Sequence, residues 1–125
     1  MNNSVLVVLA FITLASFGAF IRLKLTSLQV GFPWMTLSVN LLGCFLIGFV
    51  FYMKESGGLK ETTWMLVAIA FLGALTTFSS FSLDILKLIS EKSYLAGLNY
   101  FFLSNFLGVI ICFVGFKLAS KLTNY

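Results

Sequence analysis

Eight basic and four acidic side chains punctuate this sequence so sparsely that four stretches carry none: residues 1–21, 25–53, 62–83 and 93–116. A helix needs about 20 apolar residues to cross a hydrocarbon core, and each run reaches that length. The pattern predicts an all-α membrane protein with four transmembrane helices, near residues 4–25, 33–53, 62–86 and 93–119, forming a single domain over 1–125. Composition points the same way: with 60% hydrophobic and 10% charged residues, the chain has more apolar surface than a water-soluble domain of 125 residues can hide. Met1 to Ser4 lack the basic n-region of a cleaved leader, so the first helix is expected to be retained. Pro33, the single proline, suits the first turn of the second helix, where no helical N–H bond is lost. Gly57-Gly58 marks the next turn.

Lys/Arg bias between loops orients a membrane protein, and here it vanishes. Lys54, Lys60, Lys117 and Lys121 fall on the side of the termini; Arg22, Lys24, Lys87 and Lys92 fall on the other. A chain without an orientation signal is free to insert both ways, which allows an antiparallel, dual-topology dimer. The alternative is a residue near one end that fixes a single orientation.

The same scatter argues against nucleic acid, because the net charge of +4 forms no basic stripe. It leaves both membrane mouths mildly cationic, which concentrates anions. Enzyme chemistry finds no support either. Histidine is absent, the four acids read as loop residues, and Cys44 and Cys112 lack metal-ligand spacing. The two cysteines read as small hydrophobic packing residues.

Polar groups inside a bilayer are costly and therefore informative. In the second helix Thr36, Asn40 and Gly43 share a face; Asn40 reads either as interhelical glue or as a functional amide. The third helix carries Thr76-Thr77-Phe78-Ser79-Ser80-Phe81-Ser82 beginning near mid-depth, just after Gly73. Each hydroxyl could bond back to the carbonyl four residues earlier and bend a continuous helix. The sharper reading is a helix broken near its middle, like the unwound segments that coordinate ions in membrane transporters. In the fourth helix Tyr100, Ser104, Gly108, Cys112 and Gly115 form a stripe, with Asn99 and Asn105 set to the side. Gly108 and Gly115 read as close-packing positions; Tyr100 and Ser104 equally suit a wet path.

Taken in order, "GAFIRLKL", "FPWMTLSVNLLGCFLIGFVF", "GALTTFSSFSLDIL" and "LSNFLGVIICFVGF" resemble the Fluc (CrcB) family of fluoride channels over essentially the whole chain. The resemblance implies a fluoride-selective channel that exports the ion passively across the bacterial plasma membrane and confers fluoride resistance. It also implies an antiparallel homodimer around a central structural Na+. Position by position, it implies that Phe78 and Phe81 turn ring edges to the anion, with Asn40, Ser79, Ser80, Tyr100 and Ser104 as donors along its path. Gly73 and Thr76 match carbonyls that hold sodium, and Arg22 matches a vestibule residue.

Neutral donors suit a small, tightly hydrated anion, because conduction needs entry without trapping. Asn40 offers N–H, serine and tyrosine offer O–H, and phenyl edges offer weak positive potential. Gly108 and Cys112 stand where the resemblance leads one to expect hydroxyls, so one half of a heterodimer with a degraded pore remains an alternative. Two readings from other classes are a small multidrug-type exporter, which needs a membrane-embedded carboxylate, and a structural membrane subunit.

Overall fold

The structure is a computed structural model that describes residues 3–123; Met1 and Asn2, on which part of the leader reading rests, lie outside it. Among the described residues the ordered elements are all helical, and four segments are long and apolar enough to cross a membrane. They are Asn3–Thr26, Trp34–Glu55, Glu61–Ser90 and Tyr94–Thr123.

Local chemistry sets the turns. The second helix ends where Gly57 N–H donates to the Lys54 carbonyl and Gly58 N–H to the Met53 carbonyl, with Gly57 at φ +77°. This double closure requires a left-handed residue, which glycine adopts without a Cβ penalty. The third span ends in the same motif, with Lys92 and Ser93 donating to Ile89 and Leu88 and Lys92 at φ 59°.

Small residues let the spans approach. A Cβ at Gly48 would run into the Cys112 carbonyl, and one at Gly115 into the Phe45 carbonyl, so the second and fourth spans pack backbone to backbone. The first span docks on the third in the same way, Gly18 meeting the Phe71 carbonyl. In lipid, where apolar burial gives helices no reason to associate, such close approach is a principal source of attraction.

The third span is not one helix. Residues 61–75 open as a short α turn, widen to a π-helix over Met65–Leu72, and close with Gly73–Leu75. The backbone then leaves helical dihedral angles, Thr76 at φ −84°, ψ 160° and Thr77 at φ −153°, ψ 120°. Helix resumes at Phe78 and runs to Ser90. The fourth span is continuous but widens to π geometry over Leu103–Leu107.

One expectation fails. The acids are not confined to loops: Glu55 closes the second helix, Glu61 opens the third span, and Asp84 lies well inside Phe78–Ser90 with 5% of its surface exposed. Reading every acid as a loop residue assumes that a carboxylate cannot enter helical core. Asp84 does so because Gln29, Tyr100 and Lys87 surround it with donors. Asp84 is therefore a buried carboxylate within a helix, a feature that the exporter reading asks for.

Candidate functional site

Two extended residues inside a membrane helix leave peptide groups without helical partners, and each must find another. Asn40 supplies them for Thr77. Its Oδ1 accepts the Thr77 N–H at 2.8 Å, and its Nδ2 donates to the Thr77 carbonyl at 3.1 Å. A side-chain amide thus pairs with a peptide as a neighbouring strand would. One turn further along, Gly43 makes room: a Cβ there would collide with the Thr76 methyl. Asn40 and Gly43 together form the recess that receives the break.

The outgoing helix is capped from within. Thr77 Oγ1 accepts the Ser80 N–H at 3.0 Å and sits 3.1 Å from the hydroxyls of both Ser79 and Ser80. This satisfies one of the orphan donors at a helix start and leaves the positive end of the helix dipole at the break. Two other hydroxyls do bond back four residues: Thr76 to the Leu72 carbonyl and Ser82 to the Phe78 carbonyl, each at 3.0 Å. The hydroxyl-rich stretch thus divides into back-bonded residues flanking a true interruption.

Around the break lies a groove of about 250 Å³, lined by Asn40, Gly43, Cys44, Ile47, Leu72, Gly73, Thr76, Thr77, Phe78, Phe81, Ser104 and Asn105. No lining residue is charged. Asn40 uses one of its two N–H bonds on Thr77 and keeps a second. The Ser104 hydroxyl is buried without a hydrogen-bond partner, leaving its donor free. Phe78 and Phe81 lie against each other with ring centroids 5.3 Å apart, Phe78 75% exposed and Phe81 5%. The arrangement offers a few neutral donors and ring edges without a fixed charge, which suits a passing anion better than a trapped one.

The residues singled out from the sequence separate into four groups. Asn40, Phe78, Phe81, Ser104, Gly73 and Thr76 meet at the groove. Ser79 and Ser80 are not in its lining and turn their hydroxyls to Thr77. Tyr100 is fully buried behind Phe81, at a centroid distance of 5.3 Å, with its hydroxyl on Asp84. Arg22 reaches the break itself, Nη1 donating to the Thr76 carbonyl at 3.1 Å.

Among the described residues no group of His, Cys, Asp and Glu could hold a metal, but backbone oxygens could. In a continuous helix the Gly73 and Thr76 carbonyls would accept from the N–H groups of Thr77 and Ser80. Those donors now serve Asn40 and Thr77. Both carbonyls have lost their helical partners, and such oxygens are what an alkali cation takes at a helix break. Arg22 already uses one of the two lone pairs at Thr76.

Two features escaped the sequence reading. Asn105, set to the side there, lines the groove, and its Nδ2 donates to the Phe101 carbonyl at 2.7 Å. In the wider π turn of Leu103–Leu107 successive side chains are closer in azimuth, so Ser104 and Asn105 share one face. No sequence signal marks a π turn. The second feature is a polar cluster at one end of the fold, joining Gln29, Thr36, Asp84 and Tyr100. A glutamine in the loop after the first helix and a lone carboxylate bordering an apolar run were visible in the sequence, but nothing there paired them.

Residues 9–116 match the family model described as CrcB-like protein, Camphor Resistance (CrcB). A fluoride-specific ion channel FluC of Thermus thermophilus is 42% identical over 96 residues, covering 77% of this chain and 76% of that one. The protein of that name from Photobacterium profundum is 38% identical over 121 residues, covering 90% and 94%. The one from Acidithiobacillus ferrooxidans is 48% identical over 88 residues, covering 68% and 69%.

Proposed function

The chain belongs to the CrcB-like family, and from that premise we propose that it is a fluoride-specific ion channel whose path runs along the groove at the Thr76–Thr77 break. It is a multi-pass membrane protein that confers fluoride resistance, acting as a channel and not as an enzyme. The observation that carries the path is Asn40 locked to Thr77: it holds a helix open at mid-membrane and keeps an amide donor beside Phe78, Phe81 and Ser104.

Transport needs no energy source beyond the gradient. An interior-negative potential drives an anion outward by about 2.3 kcal/mol per charge per 100 mV, which suits passive export from a bacterial plasma membrane. The absence of a charged groove residue supports release as well as entry.

The working unit in this reading is an antiparallel homodimer inserted in both orientations. Balanced Lys/Arg counts support dual insertion, and Phe78, 75% exposed at the groove, supports a second copy that covers it. One chain offers only the Gly73 and Thr76 carbonyls to a cation; two chains would offer four, to a structural Na+ at the dimer centre. Such an ion would neutralise carbonyls that the break leaves without helical donors. Arg22, Phe78, Phe81, Asn40 and Ser104 act around that centre, with Tyr100, Ser79 and Ser80 supporting the ring and the cap.

Fluoride efflux from liposomes holding the purified chain alone tests the proposal. Efflux selective over chloride is expected. Efflux that appears only with a co-expressed paralogue would replace the homodimer by a heterodimer. Proton-coupled export of a cationic drug, with no fluoride flux, would mark Asp84 as an exporter carboxylate.

A further inference from the structure

The helix break already has a positive charge at it. Arg22 Nη1 donates to the Thr76 carbonyl at 3.1 Å, from another helix and across 54 residues of sequence. Its place follows from packing one turn earlier. Gly18 lets the first helix close on the third span, where a Cβ would strike the Phe71 carbonyl and crowd the Leu75 nitrogen, and the Phe17 ring stacks on Phe71 at 6.1 Å. Arg22 lies four residues on from Gly18, on the same face, so this seam delivers its guanidinium to the first extended residue of the break. The side chain is half-buried, and among the described residues no carboxylate lies within ion-pair distance of it. An arginine inside a membrane span pairs with an acid or with backbone carbonyls, and here it takes the carbonyl.

We propose that Arg22 is a built-in cation of the break, which satisfies the Thr76 carbonyl when sodium is absent and weakens sodium binding when it is present. A carbonyl oxygen has two lone pairs and the Arg22 N–H takes one, so the ion and the guanidinium would share a single oxygen. Two positive charges that close repel in a medium that screens them poorly. A hydrogen bond that aimed the carbonyl would act in the opposite sense, but the aim is set by other groups. The Thr76 carbonyl belongs to the same peptide as the Thr77 N–H, which Asn40 Oδ1 accepts at 2.8 Å. On the other side, the Thr76 N–H and hydroxyl both donate to the Leu72 carbonyl at 3.0 Å. The carbonyl therefore keeps its direction without the arginine, whereas the repulsion disappears with the charge. The inference rests on the reading of Gly73 and Thr76 as sodium ligands.

Thermal unfolding of the purified chain in detergent, followed as Na+ replaces a large organic cation at constant ionic strength, tests it on wild type, Arg22→Lys, Arg22→Gln and Arg22→Met. An ion that binds only the folded state raises the unfolding temperature as its concentration passes Kd. Without sodium the two uncharged variants are expected to melt below wild type, because the Thr76 carbonyl loses a charged donor. Their half-saturating Na+ concentration is expected to fall on the order of tenfold, and that of Arg22→Lys, which keeps the charge, to stay near wild type. Arg22→Gln carries the comparison where Arg22→Met does not fold. An unchanged half-saturating concentration in the uncharged variants would overturn the proposal. So would a higher one, which would make Arg22 a residue that aims the carbonyl, or an equal fall in Arg22→Lys, which would assign the effect to side-chain shape. No response to Na+ in any of the four proteins would overturn the sodium reading itself.

Discussion

Asn40 has two roles that the sequence left as rivals. Its amide is interhelical glue, closing both polar groups of the Thr77 peptide, and it also faces the groove. Replacing it with alanine orphans a buried N–H and a buried C=O, at about 1–3 kcal/mol each. Asn40→Ala is thus expected to lower the thermal unfolding temperature in detergent as well as flux. The two phenylalanines separate more cleanly. Phe78 is exposed within its own chain, so Phe78→Ile is expected to cut fluoride efflux while leaving the fold of the single chain intact. Phe81 is buried against Tyr100, so Phe81→Ile is expected to cost about 1–3 kcal/mol as well; parallel melting curves and efflux assays on the two variants check the distinction.

At the level of elements, the break depends on a cap as much as on a lock. Thr77→Val keeps the shape but removes the oxygen that accepts the Ser80 N–H, and losing such a cap costs about 1 kcal/mol. Hydrogen exchange at residues 78–81 is expected to quicken in that variant and to stay slow elsewhere. The tight seam between the second and fourth spans is less forgiving, because the atoms facing Gly48 and Gly115 are backbone and cannot turn aside. Much of this level was legible in the sequence. Charge-free runs located the spans, and hydroxyl density around Thr76 and Thr77 marked where a helix is hard to continue. The π turns were not legible, since they arise from how the spans pack and not from residue type. Nor was the Asp84 cluster, because its partners at 29, 36 and 100 are far apart in sequence and only the fold brings them together.

In the molecule as a whole, a groove without fixed charge sits between two membrane faces that each carry a mild cationic bias. The charge balance that permits insertion in both directions also means that added charge should matter. Two lysines placed in the 54–61 loop are expected to bias the chain to a single orientation and to lower flux when expressed alone; cysteine labelling of the loops from either side reads the orientation. The proposed structural Na+ would act at the same level, since only a second copy would bring four carbonyls together. Replacing Na+ by a large organic cation during purification is expected to lower the unfolding temperature of wild type.

In the proposed channel the lock, the cap and the uncharged groove serve a path held open at the Thr76–Thr77 break by the Asn40 amide. Fluoride efflux from liposomes, compared between wild type and Asn40→Ala at matched dimer content, puts that path to the test. Wild type is expected to pass fluoride rapidly and selectively, and the variant at a rate at least roughly tenfold lower, the change that follows from losing about 1.4 kcal/mol of stabilisation along the path. Equal rates in the two proteins would refute the role given to Asn40 and, with it, the path.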